Sequence, residues 1–462
     1  MARTVFLDDD IVPLRLAAPD AHGKRPLIAT LLWGDRVTLV RTTAAGPVVR
    51  LPRREWNDAT RSYDEKVYEC LLPPRARFRD APVLKVRFFD VGQGDGSMIE
   101  TPGGQIVLID GGEESHVRRY LTSSFSHVLH QRPLDLAAIV VTHGDADHFA
   151  GLTDLARARR SRGSTAPMIR TERIFHNGIV KGPNADLGTT TKVGRRKYLT
   201  ELHDDLRSLP DARLNQPFRD WRAAATALRK KKGGKPAMRR LVIGDDAQFG
   251  FLADEDLAIQ VLGPIPETVR GREALPWLQD ASHTINGHSI VLKATYGNVR
   301  FLFGADLNTP AEERLLERAR TDGLSLTAEV LKAPHHGSAD FSPRMLEAVR
   351  PVVSVVSSGD ESGSKEYIHP RAGLVGALGR YSRGTVDKPL VYVTEMVAFF
   401  ARKKGSFRDY TKTSFGIVHI RTDGRRVLVA TNSGRADQKE AYAFVVDERG
   451  DVTFEPDVRP LR

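Results

Sequence analysis

The chain has 462 residues, a single cysteine, 69 Lys and Arg against 58 Asp and Glu, and a formal net charge of +11. That length admits two or three domains, while one cysteine excludes a disulfide framework and a thiolate-rich zinc cluster. Asp8, Asp9 and Asp10 stand where a signal peptide needs an apolar segment, and no apolar run approaches the roughly 18 residues of a membrane span. A cytoplasmic protein without membrane contact is therefore expected, and the basic excess favours a polyanionic partner.

Residues 1–80 read as a small all-β, barrel-like module. In 26–41 the apolar runs break at Gly34-Asp35, read as a hairpin turn. Residues 46–51 and 66–72 read as further strands, and 73–82 as a linker. This strand rhythm and the Trp33-Gly34-Asp35 turn resemble small Src-homology-type barrels, and a protein partner held through this module is admitted. From 84 to 110 a meander of short strands is expected, with turns at Gly92–Gly96 and Pro102–Gly104. Strands are then predicted at 134–142, 258–262, 288–295, 299–303, 328–332 and 352–357, alternating with helical patterns. Two layers of mixed sheet with helices outside would account for that order. Residues 156–255 form an irregular basic insertion containing Arg157–Arg162, Arg195-Arg196-Lys197 and Arg229-Lys230-Lys231-Lys232. Such long insertions are usually functional or mobile. A further basic run is Arg402-Lys403-Lys404, and 435–462 reads as a C-terminal β-hairpin extension.

The densest chemistry follows the β-branched run 137–142, which reads as a buried strand. His143, Asp145, Asp147 and His148 come directly after it. Four potential ligands on one curling loop can converge on a point, and imidazole with carboxylate suits zinc, manganese or iron. The bland alternative is a polar loop with capping aspartates. Three more strands end in the same way: 106–109 in Asp110-Gly111-Gly112, 300–303 in Gly304-Ala305-Asp306, and 330–333 in Pro334-His335-His336-Gly337-Ser338. Ligands delivered to one sheet edge by a rigid scaffold can meet.

In this order, D-V-G-Q-G-D, L-I-D-G-G, T-H-x-D-x-D-H, G-A-D and L-K-x-P-H-H-G-S resemble the metallo-β-lactamase-fold domain of the competence protein ComEC and its soluble relatives, over roughly residues 84–434. Tyr367-Ile368-His369-Pro370 is similar to that family's G-H-P segment, and 286–292 to its N-N-x-S-L-V-L strand. The resemblance implies an α/β protein built as a four-layer αββα sandwich, with one or two divalent ions (zinc or manganese, magnesium admitted) and ester or phosphodiester hydrolysis. By the family pattern, His143 and Asp145 belong to a first metal position and Asp147 and His148 to a second. Asp306 bridges them, with His335 preferred over His336 as a further ligand. Asp145 departs from the wider H-x-H-x-D-H pattern, and His176, His283 and His288 are weaker candidates for the histidine so lost.

Behind the ligands, Asp110 would orient a histidine, and Asp95 would order the metal loop or merely close a turn. Asp147 would orient the attacking water; His369 would donate a proton to the leaving oxygen or only stand at a helix start. The expected function is a nuclease or phosphodiesterase acting on DNA, with Arg195, Arg196 and Arg229, Lys230, Lys231 and Lys232 on the nucleic acid. Two other classes compete. One is a small-molecule ester hydrolase of the lactonase, thioesterase or phosphorylcholine esterase type. The other is a non-catalytic, metal-supported nucleic-acid-binding module. The membrane helices of ComEC have no counterpart here, so a translocation channel is not expected.

Overall fold

The computed structural model describes the chain apart from residues 1, 58–61, 130, 160–165, 360–368, 385–388, 398, 403–409, 415, 432–439, 457, 459 and 462. Tyr367, Ile368, 160–162 and Lys403-Lys404 thus lie outside the described residues.

Strands between Arg3 and Arg79 form one seven-stranded sheet, curled as a half-barrel rather than closed. Its core is Val5, Leu7, Val12, Leu14, Val49 and Cys70. One expectation fails here. Leu27–Leu32 and Arg36–Thr43 are not hairpin partners; the first pairs with Ile11–Leu16 and the second with Arg3–Leu7 and Gly46–Asn57. Gly34-Asp35 is a corner instead. The Asp35 carboxylate accepts the Leu32 N–H at 2.8 Å and pairs with Arg421 at 2.9 Å. Gly34 has φ 76°, and a Cβ there would meet Val83 at 2.3 Å. Long-range packing thus redirects a turn that local sequence reads as a hairpin.

The rest of the chain builds the expected αββα sandwich. A ten-stranded and a six-stranded sheet face one another. Their shared core includes Phe88, Ile99 and Val140 on one side and Val261, Leu292 and Phe301 on the other; Phe88 and Phe303 meet across it with ring centroids 5.9 Å apart. Strands buried on both faces read as continuous apolar runs, as 84–89 and 138–141 do. The outer face of the larger sheet is covered by the helices His116–Ser124 and Gln216–Ala227, which bury Val117, Leu121, Phe218 and Trp221. Helices Thr309–Asp322, Pro343–Val349 and Ala372–Arg380 cover the smaller one. Asn308 caps the first of these three by accepting the Ala311 N–H, and Gly323 at φ 67° ends it.

The meander expected at 84–110 is present as three antiparallel neighbours. From Ile106–Ile109 outward the ten-stranded sheet is parallel, through Ala138–Val141, Arg173–His176 and Ala237–Arg240. Val299–Phe303, Val330–Lys332, Val353–Val356 and Leu390–Val393 are parallel in the other sheet. The C-terminal strands Ala441–Val446 and Val452–Phe454 pair with each other and extend the larger sheet. Among the described residues no helix is long and apolar enough to cross a membrane.

Candidate metal centre

The carboxyl ends of the parallel strands in both sheets open onto one edge, where loops are free to present side chains. Asp110 follows Ile106–Ile109, His143 and His148 follow Ala138–Val141, Asp306 follows Val299–Phe303, and His335-His336 follow Val330–Lys332. The backbone is bent to make this possible. Asp110, Ala305, His335 and His336 all sit at left-handed φ, 57°, 45°, 49° and 50°. Each such non-glycine residue costs roughly 1–2 kcal/mol, a cost that fixed loops around a site commonly carry. Gly94 serves the same end: at φ 108°, a Cβ on it would lie 1.8 Å from the Asp147 carbonyl oxygen, so only glycine lets the D-V-G-Q-G-D loop close over the metal loop.

Asp306 Oδ2 is the focus. His336 Nε2 lies 3.0 Å from it, His148 Nε2 3.3 Å, His143 Nε2 3.8 Å and His335 Nε2 4.0 Å. Ligand atoms of Asp95, His148, Asp306 and His336 all fall within 4.8 Å of one another, and all four side chains are buried. His148 Nδ1 is 2.9 Å from Asp110 Oδ2. His336 Nδ1 is 3.1 Å from the Ser357 carbonyl and 3.1 Å from Asp95 Oδ1. A carbonyl and a carboxylate only accept, so each Nδ1 carries the proton and each Nε2 turns a lone pair inward. Those two Nε2 atoms are 3.2 Å apart. His143 Nε2 is buried with no hydrogen-bond partner among the described residues. Lone pairs converging on a carboxylate fit a bound cation, or protons on the imidazoles in its place.

The electrostatics agree. Burial opposes a charge on His148, but Asp306 and Asp110 outweigh it and raise its pKa well above the ordinary histidine value. Against the same burial, Asp306 and Asp95 raise that of His336. Burial likewise opposes ionisation of Asp306, yet His336 and His148 hold it well below the carboxylate range. The cavity therefore favours positive charge, supplied by protons or by a metal. Asp110 is kept in place by Thr142, whose N–H and hydroxyl donate to it at 2.8 and 2.6 Å.

Other predicted residues stand further out. Asp147 Oδ2 is 3.5 Å from His336 Nε2 and partly open to solvent. Asp145 is ion-paired with Lys181, its second oxygen 3.9 Å from His143 Nε2. The His369 ring centroid is 6.2 Å from that of His335. His176 and His288 turn Nε2 to the carbonyls of Asp204 and Pro276, at 3.0 and 2.7 Å, and burial pushes both down to about 4. His283 pairs with Asp280 at 2.9 Å. Lys332, which the sequence reading passed over, pairs with Asp95 and lies 3.9 Å from Asp306 Oδ1. Its signal was a lysine inside an otherwise apolar strand.

The two basic clusters separate. Arg229–Lys232 sits beside Thr171 and Glu172, at the amino ends of the parallel strands and so at the edge away from the metal centre. Arg195 and Arg196 close the hairpin of Thr190–Val193 and Arg196–Leu199. Leu199 packs with Ile179 and Ile285, next to the Lys181–Asp145 pair, so that hairpin is rooted at the metal edge.

Residues 89–170, which carry Asp95, Asp110 and the His143–His148 loop, match the profile of the metallo-beta-lactamase superfamily. The sandwich around those residues has the metallo-β-lactamase fold. No curated protein matches it in sequence. Among solved structures it is similar to a diphosphatase of the PhnP family, at 13% identity and TM-score 0.27, over 59% of this chain and 85% of that one. A CmlA β-hydroxylase variant gives 14% and 0.29, over 68% and 53%. A long form of RNase Z from yeast gives 8% and 0.26, over 68% and 37%. In this metallo-β-lactamase domain the cluster around Asp306 occupies the loop edge of the sandwich.

Proposed function

We propose that this chain is a metal-dependent phosphodiesterase, a nuclease acting on DNA in the cytoplasm. The observation that carries the reading is the convergence of the His148 and His336 lone pairs on Asp306. His143, His148, Asp306 and His336 would hold the first ion. His335, 4.0 Å from Asp306 and partly exposed, stands at the rim, where Asp145 and Asp147 would complete a second position. Imidazole with carboxylate suits zinc or manganese, and the oxygen-rich rim admits magnesium. A divalent ion bound here supplies Lewis acidity to a phosphoryl oxygen and lowers the pKa of bound water.

The chain's own residues do the rest. Asp147 faces solvent beside His336 and stays ionised, held low by His336 and His148 against its burial; it accepts a hydrogen bond from the attacking water and aligns it. Burial, then His336 and His335, push His369 down to about 4. A phosphodiester anion beside it offsets those charges and restores the proton that it passes to the leaving oxygen. Arg195 and Arg196, with Lys192 on the same exposed hairpin, neutralise phosphates flanking the scissile bond. The N-terminal sheet would hold a protein or nucleic-acid partner.

The test is hydrolysis by purified chain loaded with zinc, manganese or magnesium. Substrates are plasmid, linear and single-stranded DNA, RNA and bis-(p-nitrophenyl) phosphate. Cleavage of DNA by wild type and its loss in His336→Ala are expected. Metal-loaded protein inert on every phosphodiester, yet active on lactones or thioesters, would replace this reading by the small-ester one.

A further inference from the structure

The N-terminal sheet meets the metallo-β-lactamase domain around a cavity of about 360 Å3 that no residue of the Asp306 cluster lines. Thr30 comes from the N-terminal sheet, Arg119, Tyr120 and Ser123 from one face of the helix His116–Ser124, and Arg421 from the strand Ile417–Thr422. That volume is in the range of about 300–1,000 Å3 usual for small-molecule sites.

Its charge is unbalanced. Arg421 lines the cavity, and two more buried cations, Lys85 and Arg87, are joined to Arg421 through shared carboxylates. They face two carboxylates, Asp35 and Glu100: Arg421–Asp35 at 2.9 Å, Lys85–Asp35 at 3.8 Å, Lys85–Glu100 at 3.4 Å and Arg87–Glu100 at 2.7 Å. Asp90 also lines the cavity. Its oxygens accept the Gly92 and Gly416 N–H groups at 3.1 and 3.3 Å, and Arg119, exposed at the mouth, matches its charge without an ion-pair partner among the described residues. Among these side chains the four cations Lys85, Arg87, Arg119 and Arg421 outnumber the three carboxylates Asp35, Asp90 and Glu100 by one. Arg421 is 3% exposed, and its Nε is buried with no hydrogen-bond partner among the described residues; the same holds for Arg87 Nε. A buried guanidinium nitrogen left unmatched is costly, and of the two side chains Arg421 lines the cavity, whose mouth offers a second guanidinium and hydroxyls. Phe89 and Tyr120, with ring centroids 4.3 Å apart, and Ile417 give the same cavity an apolar wall.

We propose that this cavity binds a small organic phosphate of nucleoside monophosphate size, its phosphate between Arg119 and Arg421 and its apolar body against Phe89 and Tyr120. Guanidinium forks and hydroxyls suit a tetrahedral oxyanion. The ligand would clamp the N-terminal sheet to the hydrolase. It would also touch Asp90, from which the chain runs directly through Gly92 and Gly94 to Asp95 at the metal centre.

The experiment is calorimetric titration of the full chain with AMP, inorganic phosphate and adenosine, in the presence of EDTA and again with the Asp306→Ala variant. Both conditions remove phosphate binding at the metal centre from the signal. One AMP per chain is expected, with weaker inorganic phosphate and no adenosine binding. Arg119→Glu, an exposed change that leaves the fold intact, should weaken AMP by about tenfold or more. Ser123→Trp, also on the exposed helix face, should block it sterically. The proposal is overturned if AMP does not bind, if adenosine binds as well as AMP, or if Asp306→Ala abolishes binding while Arg119→Glu and Ser123→Trp spare it.

Discussion

His148 and His336 meet tip to tip, Nε2 to Nε2 at 3.2 Å, while each Nδ1 is tied to an acceptor behind it, Asp110 for one and the Ser357 carbonyl for the other. Neither ring can turn its lone pair away without breaking the bond behind it. A cation between them relieves the repulsion, and each partner at its strand end then acts on metal affinity through the ring it holds.

His336→Ala should therefore lose bound metal and lower kcat/KM by at least about a hundredfold, since even partners behind the ligands are worth about 10–100-fold. His335→Ala, at the rim, should keep one equivalent of metal and lose activity far less. Metal content by mass spectrometry, read beside hydrolysis rates, separates the two. Equal metal loss in both variants would refute the assignment of His336 to the centre.

Asp110→Asn keeps the shape of the side chain but withdraws the charge behind His148. A fall in metal affinity of about 10–100-fold is expected, with far-UV circular dichroism unchanged. Competition with a chromogenic chelator measures it.

Chelation should lower the Tm of wild type, because a ligand that binds only the folded chain stabilises it by mass action. The centre joins loops from both sheets, so its ion should contribute to global unfolding. Scanning calorimetry of the chelated protein should match that of metal-free His336→Ala in the size of the lost increment. A Tm indifferent to chelation, with metal shown to be bound beforehand, would count against a load-sharing role.

Glu312, fully buried in the first turn of Thr309–Asp322, is pushed by burial from its ordinary 4.5 up to about 8. Between those values the folded carboxyl holds a proton that the unfolded one has released. Native protein then binds more protons, so stability falls as pH rises from about 4.5 to 8. The slope from this group is at most about 1.4 kcal/mol per pH unit. Glu312→Gln should flatten that part of the profile in urea denaturation at successive pH values; superimposable wild-type and variant profiles would contradict it.

Reversing Arg195 and Arg196 to Glu should weaken DNA cleavage and reduce the salt dependence of binding by roughly 0.9 in logarithmic slope per lost phosphate contact. Replacing Arg229–Lys232 by Ala should leave cleavage nearly unchanged, because that turn lies about one strand length, roughly 13 Å for four residues, below the metal edge. Filter binding across a salt series reads both.

By itself the sequence determined the strands and what stands at their ends. Apolar β-branched runs followed by Asp110, His143, Gly304-Ala305-Asp306 and Pro334-His335-His336 are local patterns, and local patterns act over a few residues. They were enough for the αββα order and for a metal-type cluster. Tertiary structure decided everything that depends on which distant faces must be buried together. The left-handed turn at His335-His336 points His336 inward and leaves His335 at the rim. Packing against Val83 and Arg421 makes a corner of Gly34-Asp35. Parallel pairing of Arg173–His176 with Ala237–Arg240 carries Arg229–Lys232 to the far edge. Lys332 finds Asp95 only when two sheets close face to face. Burial selects among pairings that local propensity leaves equal, so these relationships exist only in the packed molecule.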